Sequence, residues 1–183
     1  MKKTLVQAEV RDSAAVRFAW ISLFAVLTGA AAWVRIPLPF TPVPVTLQTM
    51  VVLAGGVILG RDGLYAQILY LLLGGVGLPM FASNVPNLPA LFGPTGGYLI
   101  GFVLAAWGTD RWVRSGWNRF NYAGRFARLC AVSLLIFIPG VAQLALWGHL
   151  SIGQAVMLGF VPFVVGDVLK SAALSGLPKS FLR

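Results

Sequence analysis

Charge is scarce in this 183-residue chain. Only 10% of the residues are charged, with five acids against fourteen lysines and arginines. Ordinary soluble domains carry roughly 25% charged residues. With 58% hydrophobic residues and a mean hydropathy of +0.83, the composition predicts one integral membrane domain over residues 1–183.

Residues and motifs of common catalytic sites are also missing. Cys130 is the single cysteine and His149 the single histidine, which excludes a disulfide framework and leaves little for metal chemistry. No G-x-x-x-x-G-K-[ST], G-x-S-x-G or H-E-x-x-H motif occurs. The net charge of +9 lies between apolar segments, so nucleic acid is not an expected partner. We expect no enzyme and no cofactor.

Apolar runs predict six membrane-spanning helices. Pro162 favours a last helix that begins there, because proline is tolerated in the first helical turn and not in the interior. Residues 151–159 then form a short interfacial helix with Ser151 as its N-cap, whereas the alternative is a single span over residues 151–174. The predicted spans are residues 16–34, 45–59, 64–78, 97–113, 126–147 and 162–182.

The basic residues predict the orientation of the spans. Twelve of the fourteen flank the spans on one side, whereas Arg35 lies opposite and Lys170 within the last span. Lysine and arginine accumulate on the cytoplasmic side, so both termini are predicted to be cytoplasmic. Glu9 and Asp12 precede the first apolar segment, which we therefore interpret as a span and not as a cleaved signal peptide.

The two longer outer loops carry no charge. Residues 36–48 contain four prolines, which predict an extended path with few internal hydrogen bonds. Residues 81–96 are rich in apolar side chains. Such loops are poorly suited to open water, so we expect both to fold over the mouth of the helix bundle and cover a binding site.

Asp167 and Lys170 are the ionisable residues of the last span. Their i, i+3 spacing places both on one helical face. A charge at bilayer depth costs from about 2.5 kcal/mol upward, so intramembrane charges usually line a cavity or pathway. The two residues are therefore candidate ligand contacts, and the alternative is an ion pair that neutralises both.

Uncharged polar residues near the outer side offer further candidates. Asn84 or Asn87 could complete a site with a carboxylate, because an amide both donates and accepts, or could simply form turns. Residues 93–97 (GPTGG) could present backbone N–H groups to an anion or form a tight turn into the next helix. Tyr98 borders the outer side and could line a pocket.

Small residues recur at four-residue spacing in three predicted spans. Close contact between helices is the usual role of this spacing. In the first span the stripe could equally dock a partner subunit. The pairs are Gly97 with Gly101, Gly56 with Gly60, and Ala25 with Gly29.

Four motifs in order resemble the BioY proteins, which are biotin-specific substrate-binding (S) components of energy-coupling factor (ECF) transporters. The resemblance spans nearly the whole chain. The motifs are IPLPFTPVPVTLQT at residues 36–49, LLLGGVGLPMFA at 71–82, GPTGGYLIGF at 93–102 and GDVLK at 166–170.

The resemblance implies an all-α, six-helix S-component fold that binds biotin from outside. It also implies a membrane T component and two ABC-type ATPases as partners, although some BioY proteins work without a dedicated set. The family assigns an Asn of the 81–96 loop and the Asp of G-D-x-x-K to the ligand, here Asn84 and Asp167, with Asn87 as a competitor for Asn84.

Biotin's chemistry suits these residues. Its ureido ring has two N–H groups, from which Asp167 can accept hydrogen bonds, and one carbonyl, to which the Asn84 amide can donate. Lys170 and the Gly96–Gly97 backbone compete for the carboxylate, and we also expect Tyr98 and Gln48 to contact the substrate. Two alternatives remain at this point: a proton-coupled secondary transporter with Asp167 as its relay, and a membrane-embedded enzyme.

Overall fold

The computed structural model describes residues 13–82 and 88–182, and this part of the chain is almost entirely helical. The predicted all-α class is confirmed, with one addition. The two sides of the proline-rich loop pair as a short antiparallel ribbon, β1 (Arg35–Ile36) with β2 (Val45–Thr46), so the loop has more internal hydrogen bonding than predicted. The α-helices are α1 (Ala14–Ala31), α2 (Gln48–Leu59), α3 (Arg61–Gly75), α4 (Pro89–Phe92), α5 (Gly96–Gly108), α6 (Tyr122–Gly148), α7 (Ile152–Gly159) and α8 (Val164–Ser175).

Side-chain caps define the starts of several helices. The Ser151 hydroxyl accepts a hydrogen bond from the Gln154 backbone N–H (3.4 Å), and the Gln154 side chain accepts one from the Ser151 N–H (3.0 Å). This reciprocal pair is a capping box, and it confirms the predicted short helix with Ser151 as its N-cap. Ser13 and Asn121 cap α1 and α6 in a similar way.

The last two helices are separated by a break at Phe160, whose φ is −127°. A single 3₁₀ turn, Val161–Phe163, follows and leads into α8. Pro162 lies in that turn, in agreement with its predicted role at the start of a helical segment. The predicted end at residue 182 is wrong: α8 ends at Ser175, because Pro178 cannot donate a backbone hydrogen bond and disfavours helical backbone at the preceding residue.

Each of the six predicted ranges overlaps a helix of the structure, but the helices differ in length, and the number of membrane spans stays a prediction. Three stretches of the described chain are long and apolar enough to cross a membrane: α1, α6, and the run from α7 through α8. Helix α2 has only 12 residues, and α5 has 13 before a π-helical turn, Thr109–Val113, extends it. Since a typical span needs about 20 residues, these two helices are short.

Glycines allow α5 to pack directly on the backbone of α6. A Cβ atom built on Gly101 would lie 2.7 Å from the Ile136 carbonyl oxygen, and one built on Gly97 would overlap the Pro139 carbonyl. Any other residue would force the helices apart. The predicted role of this G-x-x-x-G spacing as a helix contact is therefore confirmed.

The small residues of α1 also face the interior. Ala25 is fully buried, and a Cβ built on Gly29 would lie 2.6 Å from the Met80 sulfur. Gly56 on α2 lies equally close to Thr109. Packing inside the chain therefore accounts for the Ala25–Gly29 stripe, and the alternative of a docked partner on this stripe gains no support.

Cationic residues gather at one end of the bundle. Arg17 on α1 forms a salt bridge with Asp62 in the first turn of α3 (2.6 Å). Arg114, in the link between α5 and α6, lies against Gly60 of the α2–α3 turn. Arg125 on α6 donates to carbonyl oxygens at the C-terminal end of α8 (3.5 Å). The start of α1, two connections and the end of α8 thus lie at one end of the bundle.

Candidate substrate-binding site

A cavity opens between the proline-rich loop and α2, α5, α6 and α8. It holds about 610 Å³ of empty space, counting the part open to solvent. Residues 43–46 form one wall, in agreement with the prediction that this loop covers a site. The rings of Tyr98, Phe102, Phe137 and Phe163 form an apolar wall. The polar lining residues are Thr46, Gln48, Thr49, Thr95, Asp167 and Lys170.

Asp167 presents one free carboxylate oxygen in this cavity. The residue lies in the first turn of α8 and is only 7% exposed. Its Oδ2 accepts a hydrogen bond from the Ser133 hydroxyl on α6 (2.5 Å), whereas the buried Oδ1 has no partner within the described residues. Buried polar atoms are rarely left unsatisfied. The carboxylate therefore has one oxygen whose hydrogen-bonding capacity the described residues leave unused.

Lys170 is bound to the loop side of the cavity. Its Nζ donates to the Thr46 carbonyl oxygen (2.5 Å) and to the Thr49 hydroxyl (2.9 Å), which links α8 to β2 and the start of α2. Lys170 and Asp167 form no salt bridge in the part of the chain described. The alternative that the two residues neutralise each other by direct pairing is therefore wrong for this structure. An ammonium group has three N–H donors, so one remains for a ligand.

Tyr98 and Gln48 line the cavity, but the Tyr98 hydroxyl and the Gln48 amide nitrogen bind other parts of the chain. The Tyr98 hydroxyl donates to the Gly159 carbonyl oxygen (2.8 Å) and so holds α5 against the end of α7. Gln48 donates from Nε2 to the Thr28 carbonyl oxygen (3.2 Å) and to the Tyr70 hydroxyl (2.7 Å). We infer that Tyr98 offers its ring, and not its hydroxyl, to the cavity.

Asn84 and Asn87 lie outside the described residues, so their predicted roles stay predictions. Ala82, the described residue just before this segment, lines the cavity. Arg35 donates from Nη1 to the Ala82 carbonyl oxygen (2.8 Å), which fixes the chain at this point to β1.

The 93–97 turn is held tightly on α6. Gln143 donates from Nε2 to the carbonyl oxygens of Leu91 (2.7 Å) and Gly93 (2.8 Å). The Gly96 N–H donates back to Gly93 (3.2 Å), so it is not free for an anion. Close approach to α6 accounts for the glycines, and the structure favours the tight turn over an anion site.

Three hydroxyls of the site were not among the sequence candidates. Thr95 and Thr49 line the cavity, and the Ser133 hydroxyl donates a hydrogen bond to Asp167. Ser133 is the one hydroxyl in the apolar run 129–138, a signal that could have identified it. The two threonines have ordinary explanations as loop or helix-start residues, so the sequence offers no comparable signal for them.

A wider outer cavity leads to this site. It holds about 1,050 Å³ of empty space, counting the part open to solvent, and it shares Pro44, Ala82 and Thr95 with the inner cavity. Arg35 lines its wall. These shared residues lie where the two spaces adjoin, and we call them the neck.

Comparisons with known proteins identify relatives of the whole chain. The model of the BioY family matches residues 1–183. The biotin transporter BioY of Thermotoga maritima is 38% identical over 149 residues, which cover 81% of this chain and 85% of the relative. The biotin transporter BioY of Rhodobacter capsulatus is 43% identical over 169 residues, covering 82% and 84%. The biotin transporter BioY2 of Lactococcus lactis subsp. cremoris is 33% identical over 151 residues, covering 80% of each.

The fold matches that of a solved protein. The crystal structure at 2.1 Å of the S-component for biotin from an ECF-type ABC transporter aligns with a TM-score of 0.78, covering 87% of this chain and 86% of that chain. Its sequence is 20% identical, so the likeness speaks for the fold alone. The predicted S-component fold is confirmed, and the relatives' names describe transporters, in agreement with the prediction that the chain is not an enzyme.

Proposed function

This chain belongs to the BioY family, and we propose that it binds biotin in the inner cavity and takes part in biotin uptake across the membrane. Relatives that cover most of the chain carry the name biotin transporter. The observation that carries the site assignment is the buried Oδ1 of Asp167, a cavity-lining residue, which has no hydrogen-bond partner among the described residues.

Each part of biotin has a suitable counterpart among these residues. The acceptor-only carboxylate of Asp167 accepts a hydrogen bond from a ureido N–H group, and the Asn84 amide hydrogen-bonds to the remaining ureido groups. The thiophane ring and valeryl chain pack against the aromatic wall that includes Tyr98. The remaining N–H of Lys170 takes the biotin carboxylate. A site that hydrogen-bonds a ureido ring disfavours analogues that leave its polar groups unpaired.

The proposed topology has six spans with both termini in the cytoplasm of a bacterial or archaeal cell. Twelve of the fourteen basic residues flank the predicted spans on one side. Contacts such as Arg17–Asp62 and those of Arg125 support a shared end for these segments. Biotin then enters from the outer side, past Arg35 and the proline-rich loop.

The proposed partners are a membrane T component and ABC-type ATPases. The chain lacks a phosphate-binding loop of its own, so ATP would be used by the partners. Biotin uptake should stop when the genes for these partners are deleted. Uptake that persists without them and collapses with an uncoupler would support a proton-coupled transporter instead.

Direct binding tests the proposed ligand. The full chain, purified in detergent from biotin-free cells, should bind biotin in calorimetry with a Kd at or below about 1 μM. Pentanoate matches the side chain of biotin but lacks the ureido ring, and it should not bind under the same conditions. Absence of measurable biotin binding by the folded protein would contradict the proposal.

Removal of the Tyr98 hydroxyl should lower the stability of the protein and leave its biotin affinity nearly unchanged. Tyr98→Phe leaves the Gly159 carbonyl oxygen without its partner, which should cost about 1–3 kcal/mol of stability and lower the thermal unfolding temperature. The biotin affinity should change by less than about threefold, because the ring wall is intact.

Tyr122→Phe is the matched control for this variant. Its hydroxyl donates to the Ala172 carbonyl oxygen (2.9 Å) at an exposed position outside the cavity, so both stability and affinity should change little. A tenfold loss of biotin affinity in Tyr98→Phe would mean that the hydroxyl leaves Gly159 to bind the ligand.

A further inference from the structure

Thr95 carries a second unpartnered oxygen in the same cavity as Asp167. The residue is 7% exposed, and its Oγ1 has no hydrogen-bond partner within the described residues. It lines both the inner cavity and the outer one, so it lies at the neck between them. A buried hydroxyl without a partner lowers stability, and such atoms are uncommon in native proteins.

The Thr95 side chain does not cap helix α5, although capping is the usual role of a threonine at this position. Thr95 precedes the first residue of α5, where a threonine side chain typically caps the helix. Here the backbone of Thr95 has helical angles (φ −99°, ψ −9°), and its side chain makes no capping hydrogen bond. The hydroxyl is therefore available to a molecule in the cavity.

The surrounding turn fixes the position of this hydroxyl. Gln143 holds the carbonyl oxygens of Leu91 and Gly93 just before Thr95. Gly97, just after it, lies directly on the Pro139 backbone. Because both flanks are held on α6, the backbone that carries this hydroxyl is held in place. Binding therefore needs little further ordering of this group.

We propose that Thr95 is a ligand-contacting residue whose hydroxyl donates a hydrogen bond to an oxygen atom of the bound molecule. The assignment rests on the proposed function and adds a donor to it. Asp167 only accepts, whereas Thr95 can donate, so the two unpartnered oxygens together select a ligand that carries both N–H and oxygen groups. Biotin has two such oxygen-bearing groups, the ureido carbonyl and the carboxylate.

A pair of substitutions tests this contact. Thr95→Val keeps the shape of the side chain but removes the hydroxyl, and it should weaken biotin binding about 5- to 30-fold in calorimetry. Thr95→Ser keeps the hydroxyl and should bind within about threefold of the unmodified protein. If Thr95→Val did not fold, Thr95→Ala would carry the same prediction.

Thermal unfolding separates a ligand contact from a structural role. The hydroxyl has no partner among the described residues, so ligand-free Thr95→Val should unfold at the same temperature as the unmodified protein or at a higher one. The rise in unfolding temperature caused by biotin should be smaller in this variant. A lower ligand-free unfolding temperature with normal biotin affinity would overturn the assignment.

Two analogues identify the oxygen that Thr95 contacts. In 2-iminobiotin the ureido oxygen is replaced by nitrogen, and in a second analogue a methyl group replaces the carboxylate. The affinity penalty of Thr95→Val should disappear for the analogue that lacks the contacted oxygen. A penalty that persists with both analogues, or biotin affinity within twofold of the unmodified protein, would overturn the proposal. If the unmodified protein binds no biotin, the proposed function itself fails.

Discussion

Asp167→Asn is expected to weaken biotin binding by roughly 30- to 4,000-fold, corresponding to about 2–5 kcal/mol. The substitution keeps the size of the side chain but replaces the charged acceptor by a neutral amide. If the NH₂ group of the Asn side chain takes the place of Oδ1, it faces the ureido N–H group donor to donor, and that N–H loses its acceptor. Calorimetry on the purified variant measures this loss directly.

The variant should still fold, because Asp167 is not part of a salt bridge in the described structure. Lys170 donates to Thr46 and Thr49, so it keeps its partners when the carboxylate is lost. The Ser133 hydroxyl can still bond to the Asn side chain. A normal unfolding temperature without ligand should therefore accompany the loss of affinity.

Asp110→Asn provides a matched control at the other end of the bundle. Asp110 makes a long salt bridge with Arg114 (3.8 Å) and lines no part of the inner cavity. Its substitution should leave biotin affinity unchanged. Equal affinities in Asp167→Asn and Asp110→Asn would contradict the site assignment while leaving biotin binding by the chain untouched.

Local patterns in the sequence predicted much of the fold. Pro162 and Ser151 signal helix starts through backbone and capping chemistry that depends on a few neighbouring residues. Gly97 and Gly101 signal close helix contact through their spacing. The charge of Asp167 is conspicuous in an apolar segment, so its place in the cavity could also be predicted.

Features that depend on distant contacts could not be predicted in this way. Lys170 meets Thr46 and Thr49 across more than 120 residues of sequence, and no local pattern encodes that pairing. Ser133 and Asp167 come together only because α6 and α8 pack side by side. Hydrogen-bond partners inside a helix bundle follow from packing, whereas caps and helix contacts follow from local sequence.

Lys170→Met should give the second large loss, roughly 30- to 4,000-fold in biotin affinity. The substitution removes two effects at once. It frees the wall formed by Thr46 and Thr49 from α8, and it removes the cation proposed to receive the biotin carboxylate. Calorimetry with biotin measures the sum of the two effects.

Thr49→Val and a neutral biotin amide separate these effects. Thr49→Val removes one of the two bonds that hold the wall but keeps the charge, so its loss should be smaller than that of Lys170→Met. The amide has no carboxylate, so Lys170→Met should weaken its binding less than that of biotin. If Lys170→Met weakens both molecules equally, Lys170 acts only on the wall, and the biotin carboxylate must find its partner elsewhere, with Arg35 the next cation along the route of entry.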